Sequence, residues 1–187
     1  MTQKSTMMTT ENTLDSTQEP PKKVKKTRRP RKKASPAATK KLPSNPFMNE
    51  ILELVSEQKT DAKKVAILKE YECDILKSLF IWNFDDSVIS LLPPGKVPYK
   101  PNENPLGTEH SSLRREQRNL YMFVKGGNDA LSTIRRETIF IQMLEGLHPK
   151  EADIIVSVKD GDLEDMYDIP FEVVEDAYPD IEWGGRS

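Results

Sequence analysis

A single cysteine, Cys73, stands in 187 residues, so neither an intrachain disulfide nor a cysteine-built metal site can form. The only histidines are His110 and His148, and no His-Glu-x-x-His or comparable ligand spacing joins them to acids. There is no G-x-S-x-G nucleophile elbow, no P-loop and no dinucleotide fingerprint. No run of about 18 apolar residues is available to cross a membrane as a helix. The first twenty residues, rich in Thr, Ser and Gln, lack the apolar centre of a secretory signal. The expectation is a soluble protein with no catalytic residue, no metal, no cofactor and no membrane partner.

What the chain has is charge, unevenly divided. Its net charge of -2 averages two opposite parts. Residues 1–45 carry twelve basic and three acidic side chains, while residues 46–187 carry sixteen basic and twenty-seven acidic ones. A basic arm of +9 is joined to an acidic body of -11. Within the arm, PPKKVKKTRRPRKKASPAATKK holds eleven lysines and arginines and no acid. Its prolines break any helix, and like-charge repulsion extends it, so the arm is expected to be disordered.

Such density suits sequence-independent contact with DNA or RNA, because phosphate neutralisation releases counterions. The candidate nucleic-acid-binding residues are Lys22, Lys23, Lys25, Lys26, Arg28, Arg29, Arg31, Lys32 and Lys33. No aromatic interrupts the run, so base stacking by the arm is not expected. The competing reading is that the arm docks on an acidic protein partner or merely solubilises the chain.

The body reads as helix throughout. Ser44-Asn45-Pro46 is a helix start signal, a capping side chain followed by proline. Residues 61–84 follow as one long helix, with Asp85-Asp86-Ser87 opening a short helical turn through Leu91. Residues 91–107 contain five prolines and two glycines, which rule out regular structure; Val97, Tyr99 and Leu106 could anchor this linker. A helical hairpin over 112–147 is the expected centre of the core. Leu113, Leu120, Tyr121 and Val124 form the stripe of its first helix, Gly126-Gly127 its C-cap, and Asn128 the cap of the second. In the second helix, Ile139, Phe140, Ile141, Met143 and Leu144 should be buried on more than one side. His148-Pro149 opens a further helix, and Pro170 a short one that Pro179 stops.

The hairpin also concentrates positive charge within the acidic body. Arg114, Arg115, Arg118, Arg135 and Arg136 are candidates for phosphate or partner contact, since guanidinium makes forked bonds to phosphate and carboxylate. Internal pairing with Glu109, Glu116, Glu137 or the acidic C-terminal third is the competing reading. Asp160, Asp162, Glu164 and Asp165 resemble a calcium loop only superficially. Their glycine comes second rather than sixth, so a solvated acidic turn is expected.

Four runs, SLLPPGKVPYKPNENPLG, SLRREQRNLYMFVKGG, FIQMLEGLHPKEA and AYPDIEWGGRS, resemble an uncharacterised protein family of large contractile-tailed bacteriophages, including those infecting marine bacteria. The resemblance is collinear over residues 46–187 and leaves out the basic arm. It implies a viral protein acting in the host bacterial cytoplasm, and it carries no catalytic role onto any residue.

The expectation is therefore all-α: one irregular domain of about six helices over residues 46–187, with an acidic C-terminal third and a disordered basic arm over 1–45. The expected function is that of a non-enzymatic phage accessory protein contacting nucleic acid, or a nucleoprotein complex, through the arm. The alternative is a protein–protein interaction module with an unidentified partner and no nucleic-acid role.

Overall fold

A computed structural model describes residues 41–105, 108 and 110–186. The arm's candidate residues, Lys22 to Lys33, lie outside them, and so does the expectation of disorder there. The described residues belong to one unit, 39–187. They form eight α-helices, one 3-10 helix and a single isolated β-bridge, with no strand among them, so the all-α expectation holds.

Helix α1 spans Met48–Ser56, two residues later than the proline signal suggested. Phe47 is its cap residue, and the Glu50 carboxylate reaches back to accept the Phe47 amide at 2.9 Å, one half of a capping box that fixes the start. Residues 61–84 do not form one helix. They divide into α2 (Asp61–Glu70) and α3 (Asp74–Phe84), with Tyr71 and Cys73 leaving helical geometry. The reason lies in the apolar pattern. Ile67 and Leu68, with Ile75, Leu76, Leu79 and Phe80, are all buried, and they spread too widely around one axis to face a single core. The bend lets α2 pack on α1 and α8 while α3 packs on α6.

The chain continues through α4 (Leu113–Glu116), the 3-10 helix Gln117–Phe123, α5 (Thr133–Gly146) and α6 (Pro149–Asp160). Short helices α7 (Leu163–Tyr167) and α8 (Phe171–Ala177) close it. His148 caps α6, its Nδ1 accepting the Lys150 amide at 3.2 Å, with Pro149 at the first helical position as expected. Helix α5 starts at Thr133 with Ser132 as its cap, whereas Asn128 was expected to serve. Asn128 lies four residues before that cap, and its backbone carbonyl accepts a bond from the Arg136 guanidinium at 2.9 Å. Phe140, Met143 and Leu144 of α5 are buried, but Ile139 and Ile141 are only partly so, and Ile134 is 80% exposed. The hairpin therefore buries one face of α5, fewer sides than its apolar density suggested.

Polar bonds place the helices relative to one another. Glu151 of α6 is buried, and its two oxygens accept the amides of Met48 at 3.1 Å and Leu113 at 3.0 Å. One carboxylate thus satisfies the first free amide of both α1 and α4. Tyr178, fully buried against Phe80, donates its hydroxyl to the Leu68 carbonyl at 2.9 Å. The Lys159 ammonium is buried and donates to the Pro93 and Gly95 carbonyls, both at 3.0 Å, tying the proline-rich linker to α6. Described residues 92–105 form no regular element; Val97 and Tyr99 pack on the core, and Leu106 lies outside the described residues.

Candidate functional site

Residues 113–123 begin as one α-turn and then tighten into 3-10 winding. In a 3-10 helix residues i and i+3 eclipse, whereas in an α-helix they fall about 60° short of a full turn. Leu120 and Phe123 make one row, buried in the core. Arg115, Arg118 and Tyr121 make a second row, and all three are exposed. That winding explains why Tyr121, expected on the apolar face of an α-helix, stands 51% exposed.

Facing this row is α3, which supplies Ser78, Ile81 and Trp82. Behind the floor, Trp82 stacks on Phe123 at 6.2 Å and Phe123 meets Phe140 edge-on at 5.1 Å, so the floor has a rigid aromatic backing. A third side is built where residues 89–91 run antiparallel to 123–125. The Leu91 amide donates to Phe123 O at 2.8 Å and the Lys125 amide to Ile89 O at 2.9 Å, around the Ser90–Val124 bridge. Residues 85–91 are thus turn and extended chain rather than the helical turn expected. Asp85 decides this, since its carboxylate accepts both the amide and the hydroxyl of Ser87, at 2.9 and 2.6 Å, and holds an Asx-type turn.

Gly126 and Gly127 do not cap a helix either. The 3-10 helix ends at Phe123, Val124 is extended, and Gly126 (φ 83°) then turns the chain. A Cβ on Gly127 would lie 1.9 Å from the Tyr121 carbonyl oxygen, so only glycine lets the turn fold back this closely. The result is that Lys125 is set beside Tyr121.

The C-terminal segment supplies the last side. The Asp85 side chain is fully buried and accepts the Gly184 amide at 3.1 Å and Arg186 Nη1 at 2.6 Å. Burial alone would push the Asp85 carboxyl up. The bonds from Ser87, Arg186 and Gly184 together outweigh it and hold the group below the usual carboxylate range.

The open cleft between these elements has a volume of about 800 Å³. Five cations line it, Arg114, Arg115, Arg118, Lys125 and Arg186, and no carboxylate among the described residues does. Its apolar lining comes from Ile81, Trp82, Val88, Leu120 and Val124. Arg186 is paired with Asp85, and Arg114 donates to Pro46 O at 3.3 Å while its Nε is buried without an acceptor among the described residues. The Trp82 indole N–H is likewise buried and unpartnered. Among the described residues the side chains of Arg115, Arg118 and Lys125 have no ion-pair partner. Glu116 accepts bonds from Ser111 and Asn119 instead, and Glu109 lies outside the described residues. Forked cationic donors beside an exposed aromatic face make this arrangement suited to holding an anion that also carries a flat apolar group.

Of the five candidate arginines of the hairpin, then, the structure brings together Arg114, Arg115 and Arg118. Arg136 is buried, its guanidinium bonded to the Met122 and Asn128 carbonyls at 2.8 and 2.9 Å, and it holds the turn rather than a ligand. Arg135 is exposed on α5 and does not line the cleft. Sequence reasoning missed Lys125, Arg186, Tyr121 and Trp82. Lys125 had a signal, since it directly follows the hairpin's first helix; Arg186 had none, because only the tertiary bond to Asp85 brings it in.

No curated protein and no solved structure matches the chain. The model of a family of unknown function (DUF6433) matches residues 51–165, which takes in every lining residue of the cleft except Arg186. Since the match spans 115 of 187 residues, the protein belongs to this family of unknown function.

Proposed function

We propose that this protein is a non-enzymatic accessory protein of a bacteriophage that contacts nucleic acid in the host bacterial cytoplasm. The phage setting rests on the resemblance of its linker, hairpin and C-terminal runs to a family from contractile-tailed phages. The observation that carries the nucleic-acid reading is the cleft: five cations around one apolar floor with no acid among them, on a body of otherwise acidic balance. Three of the five, Arg115, Arg118 and Lys125, have no ion-pair partner among the described residues, and such clustered cations are the footprint expected of a phosphate-binding surface. The basic run from Lys22 to Lys33 adds sequence-independent contacts along the backbone.

The test is DNA and RNA binding by the full chain as a function of salt. Each phosphate neutralised contributes about -0.9 to the log–log slope on duplex and about -0.7 on single strands. Replacing Arg115, Arg118 and Lys125 together by glutamine should reduce the magnitude of the slope by about 2 to 3. An unchanged slope would remove the cleft from the reading. Failure of the intact protein to bind either nucleic acid at low salt would put a protein–protein interaction module in its place.

A further inference from the structure

We infer that the cleft is a seat for single-stranded nucleic acid, with an unpaired base stacked on Tyr121 and the flanking phosphates on Arg115, Arg118 and Lys125. This rests on the proposed function and deepens it by naming the strand state. The first argument is the eclipsed row of the 3-10 helix. It sets Arg118 in line with an aromatic ring that is half exposed, and Arg115, in the α-turn just before, lines the same cleft; neither arginine has an ion-pair partner among the described residues. An exposed tyrosine ring among cations suits a base, because every base offers a π-face whatever its sequence.

The second argument is shape. A volume of about 800 Å³ lies in the range of sites that hold a small organic group. A duplex keeps its bases stacked inside and presents phosphates outside. It would engage the cations but leave Tyr121 and the lining of Trp82 and Val124 uncovered. A single strand covers both. The third argument is rigidity. Gly127 packs the turn that carries Lys125 against the Tyr121 backbone carbonyl, so the backbone that bears the cation and the ring is set before any ligand arrives.

The experiment measures fluorescence anisotropy of the full chain with a labelled oligo-dT, an oligo-U and a duplex of equal length. Inorganic polyphosphate is the competitor. Tyr121→Ala should weaken binding to both single strands about 5- to 100-fold while changing duplex affinity less than about twofold. Tyr121→Trp should retain single-strand affinity, which a loss of folding would not allow. Polyphosphate should compete with single strands far less well than an oligonucleotide of the same charge. If Tyr121→Ala leaves single-strand binding unchanged while Arg115→Gln with Arg118→Gln weakens it, base stacking is refuted and the phosphate reading stands. If neither variant changes binding to any probe, the cleft is not the site, and both this inference and the cleft's part in the proposed function fall.

Discussion

Glu151 is the residue whose loss should be felt furthest from its own helix. Its carboxylate accepts the Met48 and Leu113 amides, both buried, and the two belong to helices 65 positions apart in the chain. Glu151→Ala removes the acceptor from both at once. A buried N–H left without a partner costs about 1–3 kcal/mol. The expected destabilisation is therefore about 2–5 kcal/mol, a large share of the roughly 5–15 kcal/mol that holds a domain folded. At about 2–4 °C per kcal/mol for a chain of this size, the melting temperature should fall by about 5–15 °C. Glu151→Gln keeps the shape and one acceptor oxygen, so it should fall between alanine and wild type. Burial pushes the Glu151 carboxyl above its usual value of 4.5, an effect that its two amide donors, His148 and Arg114 offset only in part. The folded state therefore holds this proton more tightly than the unfolded one. That stabilisation is complete below pH 4.5 and is lost as pH rises through the folded value. The advantage of wild type over Glu151→Gln should narrow over the same interval. Urea unfolding followed by circular dichroism measures both effects. An alanine variant within about 0.5 kcal/mol of wild type would refute the reasoning, since no second acceptor would then be needed.

Two further perturbations separate the site from the core. Asp85→Asn should free the C-terminal segment, seen as faster hydrogen exchange at the Gly184 and Arg186 amides, and cost about 1–3 kcal/mol for the lost bonds to a buried acceptor. Because the Asp85 carboxyl is held below its usual value of 3.8, its stabilisation is present above that pH and disappears as pH falls through the folded value. Acid unfolding of the variant should lack this limb. Phe140→Ala should cost about 3–5 kcal/mol, whereas Ile141→Asp, on a half-buried position that shares a small pocket with Lys96 and Lys159, should cost about 1–3 kcal/mol. Chemical denaturation that ranks Ile141→Asp above Phe140→Ala would overturn the placement of the core.

Much of the fold was legible because period and punctuation are local. His148-Pro149 capped α6 as read, Pro170 preceded α8, and five prolines kept the linker irregular. What failed to show was competition for the same groups. Asp85 can start a helix, but its carboxylate oxygens serve Ser87 and the C-terminus instead. Apolar spacing also cannot tell α from 3-10 winding over two turns, and that distinction moved Tyr121 from core to surface. The cleft was half visible: three of its cations share a short stretch, but Lys125 comes in through the Gly127 contact and Arg186 through Asp85.

The acidic body and the basic cleft are parts of one electrostatic arrangement. Several cations elsewhere in the body are matched: Lys64 with Asp168, Lys77 with Glu72 and Asp180, Lys150 with Glu53, Lys159 with Asp160. With acids outnumbering bases by eleven from residue 46 onward, pairing would be the easy outcome for every cation. Arg115, Arg118 and Lys125 instead stand together, where they repel one another. Charges more than about 8 Å away are largely screened at physiological salt, so the acidic remainder does little to relieve that repulsion. The low-dielectric wall of Trp82, Leu120 and Val124 strengthens the local field further. On the proposed function, a polyanion that lands at the cleft would remove a repulsion that the free protein carries. In that reading the acidic balance of the body would act on where the polyanion lands more than on how tightly it is held.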